Sequence, residues 1–150
     1  QVCGLDSIVL RYANIYGPRQ NPHGEAGVVA IFANKLLNGE QAIINGDGMQ
    51  TRDYTYVADV VKANLLALRY NRSDIFNVGT GIETNVNEVF STLRQHLNPV
   101  CPERHGPPKD GEQRRSVISY TKIQKELGWA PSVTLEEGLR LTAEYFRKTV

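Results

Sequence analysis

Hydrophobic and polar positions along the chain follow two alternating patterns, which predict strands and helices in turn. Short apolar runs rich in β-branched residues occupy 7–13 and 75–78, and each predicts a strand, the first of them buried. Apolar residues at helical spacing predict longer helices over 28–38, 58–70 and 85–97, and another from 134 onward. This alternation indicates an α/β fold with some parallel strand pairing.

Each predicted helix has an apolar face that we expect to point into the core, and several have recognisable end signals. Asn85 with Glu88, and Thr134 with Glu137, have the spacing of N-terminal capping residues. Glycines follow the first helix and a brief helix over 121–128. The residues predicted to face inward are Val29, Phe32, Leu36 and Leu37 on the first helix, Val61, Leu65 and Leu68 on the second, and Leu135, Leu139, Ala143 and Phe146 on the last.

The stretch 41–61 allows two interpretations. A β-branched run is followed by an Asn-Gly-Asp-Gly turn and by the pair Arg52-Asp53. The simpler interpretation is a hairpin-like turn with a surface ion pair between Arg52 and Asp53. The other is an anion site, because the planar guanidinium of Arg52 suits bidentate binding of a phosphate.

Composition narrows the class of protein. The 150 residues are 41% hydrophobic, which suffices for one ordinary core. The net charge of +1 argues against a broad nucleic-acid surface. The two cysteines lie far apart, no apolar run reaches the length of a membrane span, and no signal peptide is visible. A reduced, cytoplasmic protein is the simplest interpretation, and the abrupt start at Gln1 suggests a piece of a longer one.

Candidate chemistry in the sequence is limited to binding groups. The GxxGxx[GA] match at 24–30 follows a proline-containing loop rather than a strand, so it does not predict a dinucleotide loop. The histidines lack metal-ligand spacing, and no tyrosine is followed by a lysine four residues later, so neither a metal site nor a catalytic acid–base pair is predicted. The residues suited to an anionic, sugar-like ligand are Asn14, Arg52, Lys109, Glu112 and Arg114.

Four segments stand in an order that is typical of one enzyme family. They are 10–20 (LRYANIYGPRQ), 46–57 (GDGMQTRDYTYV), 76–81 (FNVGTG), and the closing pair 109–112 (KDGE) and 127–131 (LGWAP). They resemble motifs of the extended short-chain dehydrogenase/reductases, the NAD-dependent epimerase/dehydratase family, over nearly all of the chain. Within that family the resemblance is greatest to the UDP-glucose 4-epimerases.

The resemblance implies which part of such an enzyme this chain represents. In the family, the GxxGxxG loop for NAD and the catalytic Tyr-x-x-x-Lys pair lie in the N-terminal half. This chain would therefore be the C-terminal half, with the last strands and helices of a Rossmann-type sheet (1–18 and 57–82) and a small α/β nucleotide-sugar-binding domain (19–56 and 83–150). The catalytic residues are expected upstream, so the chain alone is expected to be inactive.

The resemblance also implies contacts to the cofactor and to the diphosphate of the substrate. Tyr12 and Ala13 would lie near the nicotinamide of NAD, which the missing half would mainly bind. Asn14 and Arg52 would contact the sugar diphosphate. Lys109 stands where many members have an arginine on the phosphates, and a lysine keeps the charge but lacks the bidentate fork.

The remaining implied contacts are to the nucleoside. Ile44 would lie against the uracil, and the helix start at Gly27 and Val28 would close the base pocket. Glu112 stands where the family has an acid that binds the ribose hydroxyls.

The reaction implied by the resemblance is a transient oxidation at C4 of the sugar. NAD accepts a hydride, the 4-keto sugar turns about its diphosphate link, and the hydride returns to the other face. The alternatives are a dTDP-glucose 4,6-dehydratase, a UDP-glucuronate decarboxylase or epimerase, and, in another class, a non-catalytic nucleotide-sugar-binding module. The expected partner is a UDP-sugar, with no nucleic acid or membrane, and the longer protein is expected to be a homodimer.

Overall fold

The computed structural model describes residues 6–23 and 27–149, and within them the chain forms five helices and nine short strands. Predicted features at 1–5, including Cys3, and at 24–26 lie outside the described residues. The elements in chain order are β1 Ile8–Tyr12, β2 Asn14–Tyr16, α1 Val28–Leu37, β3 Ile44–Asn45, β4 Thr51–Arg52, β5 Tyr54–Tyr56, α2 Val57–Ala67, β6 Asp74–Val78, β7 Thr84–Asn85, α3 Val86–Leu97, β8 His105–Gly106, β9 Arg115–Ser116, α4 Thr121–Leu127 and α5 Leu135–Thr149.

The predicted strand at 7–13 corresponds to β1, and a second strand, β2, follows it directly in a different ladder. β1 pairs in parallel with β6, and β2 pairs in parallel with β5. The change of partner falls at Ala13, whose N–H donates to the Val78 carbonyl at 3.0 Å, while the Asn14 N–H donates to the Asp53 carbonyl at 2.8 Å. This junction places Asn14 where the two ladders diverge.

The expectation that the first strand is buried is wrong. Ile8 and Leu10 pack against the core, whereas Val9 and Tyr12 are 49% and 43% exposed. Successive side chains of a strand point to opposite faces, and the β1–β6 ladder buries only one of its faces among the described residues.

The face predicted to be buried on α2 is also wrong. Val61, Leu65 and Leu68 are exposed, and the buried residues are Asp59, Val60, Ala63 and Ala67. Small side chains on this face let the helix pack against β1 and β2, and hydrogen bonds satisfy the buried carboxylate of Asp59. Hydrophobic spacing alone cannot identify such a face.

Two hydrophobic clusters account for most of the core. The larger one joins α1, α3 and α5 to β2 and β5, and includes an edge-on contact of Phe32 with Phe90 at 5.4 Å. The second joins α2 and α4 to β1 and β6 around Phe76 and Trp129. The division of the chain into a Rossmann part and a second domain remains a prediction.

Local end signals of the helices and parallel strand pairing are confirmed, whereas the hairpin-like turn is not. Asn85 accepts from the Glu88 N–H at 2.9 Å, and Thr134 accepts from the Glu137 N–H at 3.3 Å. The turn after Ile44 does not make a hairpin, because β3 pairs in parallel with β8. A further short strand, β9, pairs in parallel with β4.

Close packing of α5 on Tyr16 leads to the first prediction. A Cβ on Gly138 would lie 2.0 Å from the Tyr16 hydroxyl oxygen. A glycine-to-alanine change in a helix usually stabilises by roughly 1 kcal/mol, but here we expect Gly138→Ala to lower the free energy of unfolding by about 1–3 kcal/mol because the core is overpacked. Urea unfolding measures this. Removing the hydroxyl with Tyr16→Phe should recover part of the loss, and a more stable Gly138→Ala chain would contradict the prediction.

Candidate functional site

A cavity of about 620 Å³ lies between one face of α1, the strands β2 to β5 and the loop 107–114. Its size is typical of small-molecule sites. The structure brings together here most of the residues predicted to bind substrate: Asn14, Gly27, Val28, Arg52, Lys109 and Glu112.

Ile44, the remaining predicted substrate residue, does not line the cavity. Its side chain is fully buried in the larger core cluster, while the preceding residue, Ile43, is 41% exposed and faces the cavity. Pairing with β8 through Ile44 sets this alternation, so the side chain of Ile43 and not that of Ile44 faces the cavity. Contact of Ile44 with the base remains a prediction.

The two predicted cofactor residues lie outside this cavity. Tyr12 donates a hydrogen bond to Asn64 Oδ1 at 2.9 Å and borders a separate hollow beside α2. Ala13 sits at the ladder junction described above. Both lie at or just past the carboxyl end of β1, and their contact with NAD remains a prediction.

Arg52 is held in a defined orientation at the cavity wall. Its Nη1 donates to the backbone carbonyls of Thr51 at 2.8 Å and Gln113 at 2.6 Å. Its Nη2 lies 3.6 Å from a Glu112 carboxylate oxygen, and the Arg52 side chain is only 17% exposed. A fixed guanidinium loses less entropy when it binds an anion, which favours the anion-site interpretation of 41–61.

The alternative interpretation of a surface Arg52–Asp53 pair is wrong. Asp53 is 2% exposed, so its carboxylate does not lie at the surface. Its carboxylate accepts from the backbone N–H groups of Thr80 and Gly81 at 2.8 and 3.0 Å, and from the Thr80 hydroxyl at 2.7 Å. It therefore ties the strand that carries Arg52 to the loop after β6.

Positive charge predominates in the cavity wall. Lys35, Arg52 and Lys109 line it together with one acidic residue, Glu112. The ring of Tyr54, also at the wall, is buried, and burial raises the pKa of Tyr54 to about 12, so its phenol is neutral at physiological pH. The wall is thus suited to bind an anion.

The loop 107–114, which carries Lys109 and Glu112, is anchored at both ends to the turn 46–48. Arg114 donates to both carboxylate oxygens of Asp47 at 2.8 and 2.7 Å, and His105 Nδ1 lies 2.7 Å from the Gly46 carbonyl. The hydrogen-bonded guanidinium of Arg114 holds the pKa of Asp47 well below its usual range. Arg114 therefore braces the loop and does not line the cavity, contrary to the sequence-based expectation.

Sequence reasoning missed several cavity residues. Ile31, Phe32 and Lys35 follow Val28 at helical spacing, so the face of α1 could have been recognised from Val28. Asn45 and Gln50 had no such signal, because the parallel pairing of β3 with β8 decides which side chains face the cavity.

The described part of the chain shows neither a metal site nor a membrane-spanning helix. Among residues 6–23 and 27–149, no group of three or more His, Cys, Asp or Glu side chains is placed to hold a metal ion. Within the same ranges, no helix is both long and apolar enough to cross a membrane.

The fold and this cavity define an α/β protein with a cationic small-molecule site, and comparison with known proteins gives the family. The model of the NAD dependent epimerase/dehydratase family matches residues 1–79. The chain belongs to that family.

Relatives of known sequence are similar over nearly the whole chain. It is 42% identical over 144 residues to a putative UDP-glucose 4-epimerase of Methanocaldococcus jannaschii, and 48% identical over 145 residues to the UDP-glucose 4-epimerase of Mycolicibacterium smegmatis. These matches cover 96% and 95% of this chain but 47% and 46% of the relatives. The chain thus spans about half the length of the curated relatives it matches.

Solved structures are similar to the same extent. The UDP-glucose 4-epimerase of Thermotoga maritima with UDP-glucose is 54% identical, with a TM-score of 0.93, over 97% of this chain and 47% of that chain. The Thermus thermophilus UDP-glucose 4-epimerase in complex with NAD is 43% identical, with a TM-score of 0.89, over 100% of this chain and 49% of that chain. The α/β architecture with parallel strands is therefore confirmed.

Proposed function

We propose that this chain is the nucleotide-sugar-binding part of an NAD-dependent enzyme that interconverts UDP-glucose and UDP-galactose. The observation that carries the proposal is the meeting of Asn14, Arg52, Lys109 and Glu112 around one cavity with a cationic wall. The similarity to proteins named UDP-glucose 4-epimerase supports this choice of reaction.

The cavity residues suit a reaction in which one part of the substrate is bound and another part moves. The nucleotide must be held firmly while the sugar is free to turn. Arg52, fixed by two backbone carbonyls, would bind the diphosphate, with Lys109 as a mobile second charge. Ile43 and Val28 offer apolar surface for the base. All of these groups act on the part of the substrate that does not react.

The cofactor would meet a different part of the chain. Tyr12 and Ala13 lie at the carboxyl end of parallel strand β1, the end at which α/β sheets bind nucleotides. Tyr12 is partly exposed and would lie against the nicotinamide. When bound, NAD supplies the hydride acceptor. Cytoplasmic location and a homodimer of the longer protein remain predictions from the family resemblance.

Other members of the family remain a second candidate. The chain is 33% identical to a UDP-N-acetyl-alpha-D-glucosaminuronate decarboxylase and 32% identical to a dTDP-glucose 4,6-dehydratase. These identities are lower than those to the UDP-glucose 4-epimerases, which favours the first proposal. The choice of base, uracil against thymine, separates the two nucleotide classes.

Calorimetric titration of the 150-residue chain with UDP, dTDP and uridine tests the proposal. We expect UDP to bind more tightly than dTDP, and uridine to bind much more weakly than UDP because it lacks the groups that Arg52 and Lys109 would hold. A preference for dTDP would favour the dehydratase class. Failure of UDP and dTDP to bind would contradict the proposal that this chain holds the nucleotide.

A further inference from the structure

Gln50 is a buried polar side chain in the cavity wall, and it has no assigned role. It lies just before β4, beside Glu112, and is 4% exposed. Amide groups in such positions almost always have hydrogen-bond partners in the protein, in water or in a ligand, so we ask which partner each half of this amide has.

The amide nitrogen of Gln50 has its partners inside the protein. Its Nε2 donates to the Asn45 carbonyl at 3.2 Å and makes a longer contact of 3.5 Å with Glu112 Oε2. Both partners are acceptors, so the NH₂ group must face them. This fixes the direction of the carbonyl oxygen as well.

The carbonyl oxygen of Gln50 has no such partner. Among the residues that the structure describes, no side chain or backbone group donates a hydrogen bond to Oε1. Since Gln50 lines the cavity, a donor on a bound ligand can form a hydrogen bond with this oxygen.

The surroundings of Gln50 indicate which donor this is. Oε1 of Gln50 and the carboxylate of Glu112 form two neighbouring acceptors, which suit neighbouring hydroxyls. Arg52 lies 3.6 Å from the same carboxylate, so the group that would bind phosphate is adjacent. In a nucleoside diphosphate, the ribose diol is the pair of hydroxyls between the base and the phosphates.

We propose that Gln50 is a substrate-positioning residue that accepts a hydrogen bond from a ribose hydroxyl of the nucleotide while its amide nitrogen orients Glu112. This inference rests on the proposed function and adds to it a residue that binds the ribose diol. A contact to the 2′-hydroxyl, which dTDP lacks, would give the chain a means to prefer UDP that does not depend on the methyl group of thymine, whereas a contact to the 3′-hydroxyl would not.

The test compares UDP with 2′-deoxy-UDP and 3′-deoxy-UDP by calorimetry. For the hydroxyl that Gln50 contacts, we expect the unsubstituted chain to bind UDP about five- to tenfold more tightly than the deoxy analogue, the effect of about one hydrogen bond. Gln50→Met should lower this ratio to about twofold or less. Gln95→Met is the matched control, because Gln95 is exposed on α3 and does not line the cavity; its ratio should not change.

The ratio of affinities reports on the contact even if a variant loses some stability. If Gln50→Met does not fold, as judged by circular dichroism, the shorter Gln50→Asn should lower the ratio in its place. Ratios near one in the unsubstituted chain, or an unchanged ratio in both variants, would overturn the inference. A loss of UDP-glucose binding in the Gln50 variants with UDP binding intact would also overturn it, because Gln50 would then contact the hexose. Failure of the unsubstituted chain to bind UDP would instead count against the proposed function.

Discussion

Arg52→Ala is expected to weaken UDP binding about 100-fold, whereas Lys109→Ala should weaken it less than tenfold. The guanidinium is already oriented by the carbonyls of Thr51 and Gln113, so it can place charge-assisted hydrogen bonds on the diphosphate at little entropic cost. Such bonds contribute roughly 1.5–3 kcal/mol each, and a 100-fold loss corresponds to about 2.7 kcal/mol. Lys109 is exposed and contributes a solvated point charge.

Calorimetric titration of UDP into the variants measures this ranking. Arg115→Ala is the matched control, because Arg115 is exposed and paired with Glu83 away from the cavity, yet its loss changes the net charge equally. Arg52→Lys should give an intermediate loss, since it keeps the charge without the planar fork. Equal losses for Arg52→Ala and Lys109→Ala would contradict the ranking, and a similar loss for Arg115→Ala would reduce the effect to general electrostatics.

The parts of the fold that sequence predicts well depend on local interactions. The alternation of strands and helices, the cap at Asn85 and the stop at Gly128 each involve residues a few positions apart. The errors concern contacts between distant segments. The change of partner between β1 and β2 depends on Asp53 and Val78, which lie far from this run in the sequence.

The distinction between local and long-range contacts also explains which site residues could be predicted. Arg52, Lys109 and Glu112 were predicted because a motif resemblance carries long-range information that periodicity lacks. Sequence alone does not show whether Ile43 or Ile44 faces the cavity, because the register of β3 against β8 sets the side-chain direction. Gln50 belongs to a recognised motif, but the motif does not show which atoms of its amide are hydrogen-bonded. That depends on Asn45 and Glu112, which lie beside its nitrogen in the fold.

Asp59 joins α2 to the segment that precedes α5, and its substitution should lower stability. Its carboxylate is 1% exposed. It accepts from the Ser132 hydroxyl at 2.6 Å, from the Ser132 and Val133 N–H groups at 3.0 Å each, and from Lys62 at 3.1 Å. Removing such an acceptor leaves buried donors unpaired.

We expect Asp59→Asn to lower the free energy of unfolding by about 2–3 kcal/mol at pH 7, because the new NH₂ group faces donors instead of accepting from them. Burial raises the pKa of Asp59, but the hydrogen bonds from Ser132, Val133 and Lys62 outweigh it, so the pKa in the folded chain is lowered. The folded state therefore binds this proton less readily than the unfolded state does. The stabilisation is present above the unfolded pKa, roughly 3.9, and is lost as pH falls through the lower folded value.

Urea unfolding of the unsubstituted chain and Asp59→Asn at pH 7 and at pH values below roughly 4 tests both parts of this prediction. The difference between the two chains should be largest at neutral pH and should narrow in acid, as Asp59 becomes protonated. Asp110→Asn makes the same chemical change at an exposed position and should alter stability by less than about 0.5 kcal/mol. A difference that stays constant from neutral pH into acid would show that the charge of Asp59 contributes nothing, and that only the shape of the side chain holds α2 to residues 132 and 133.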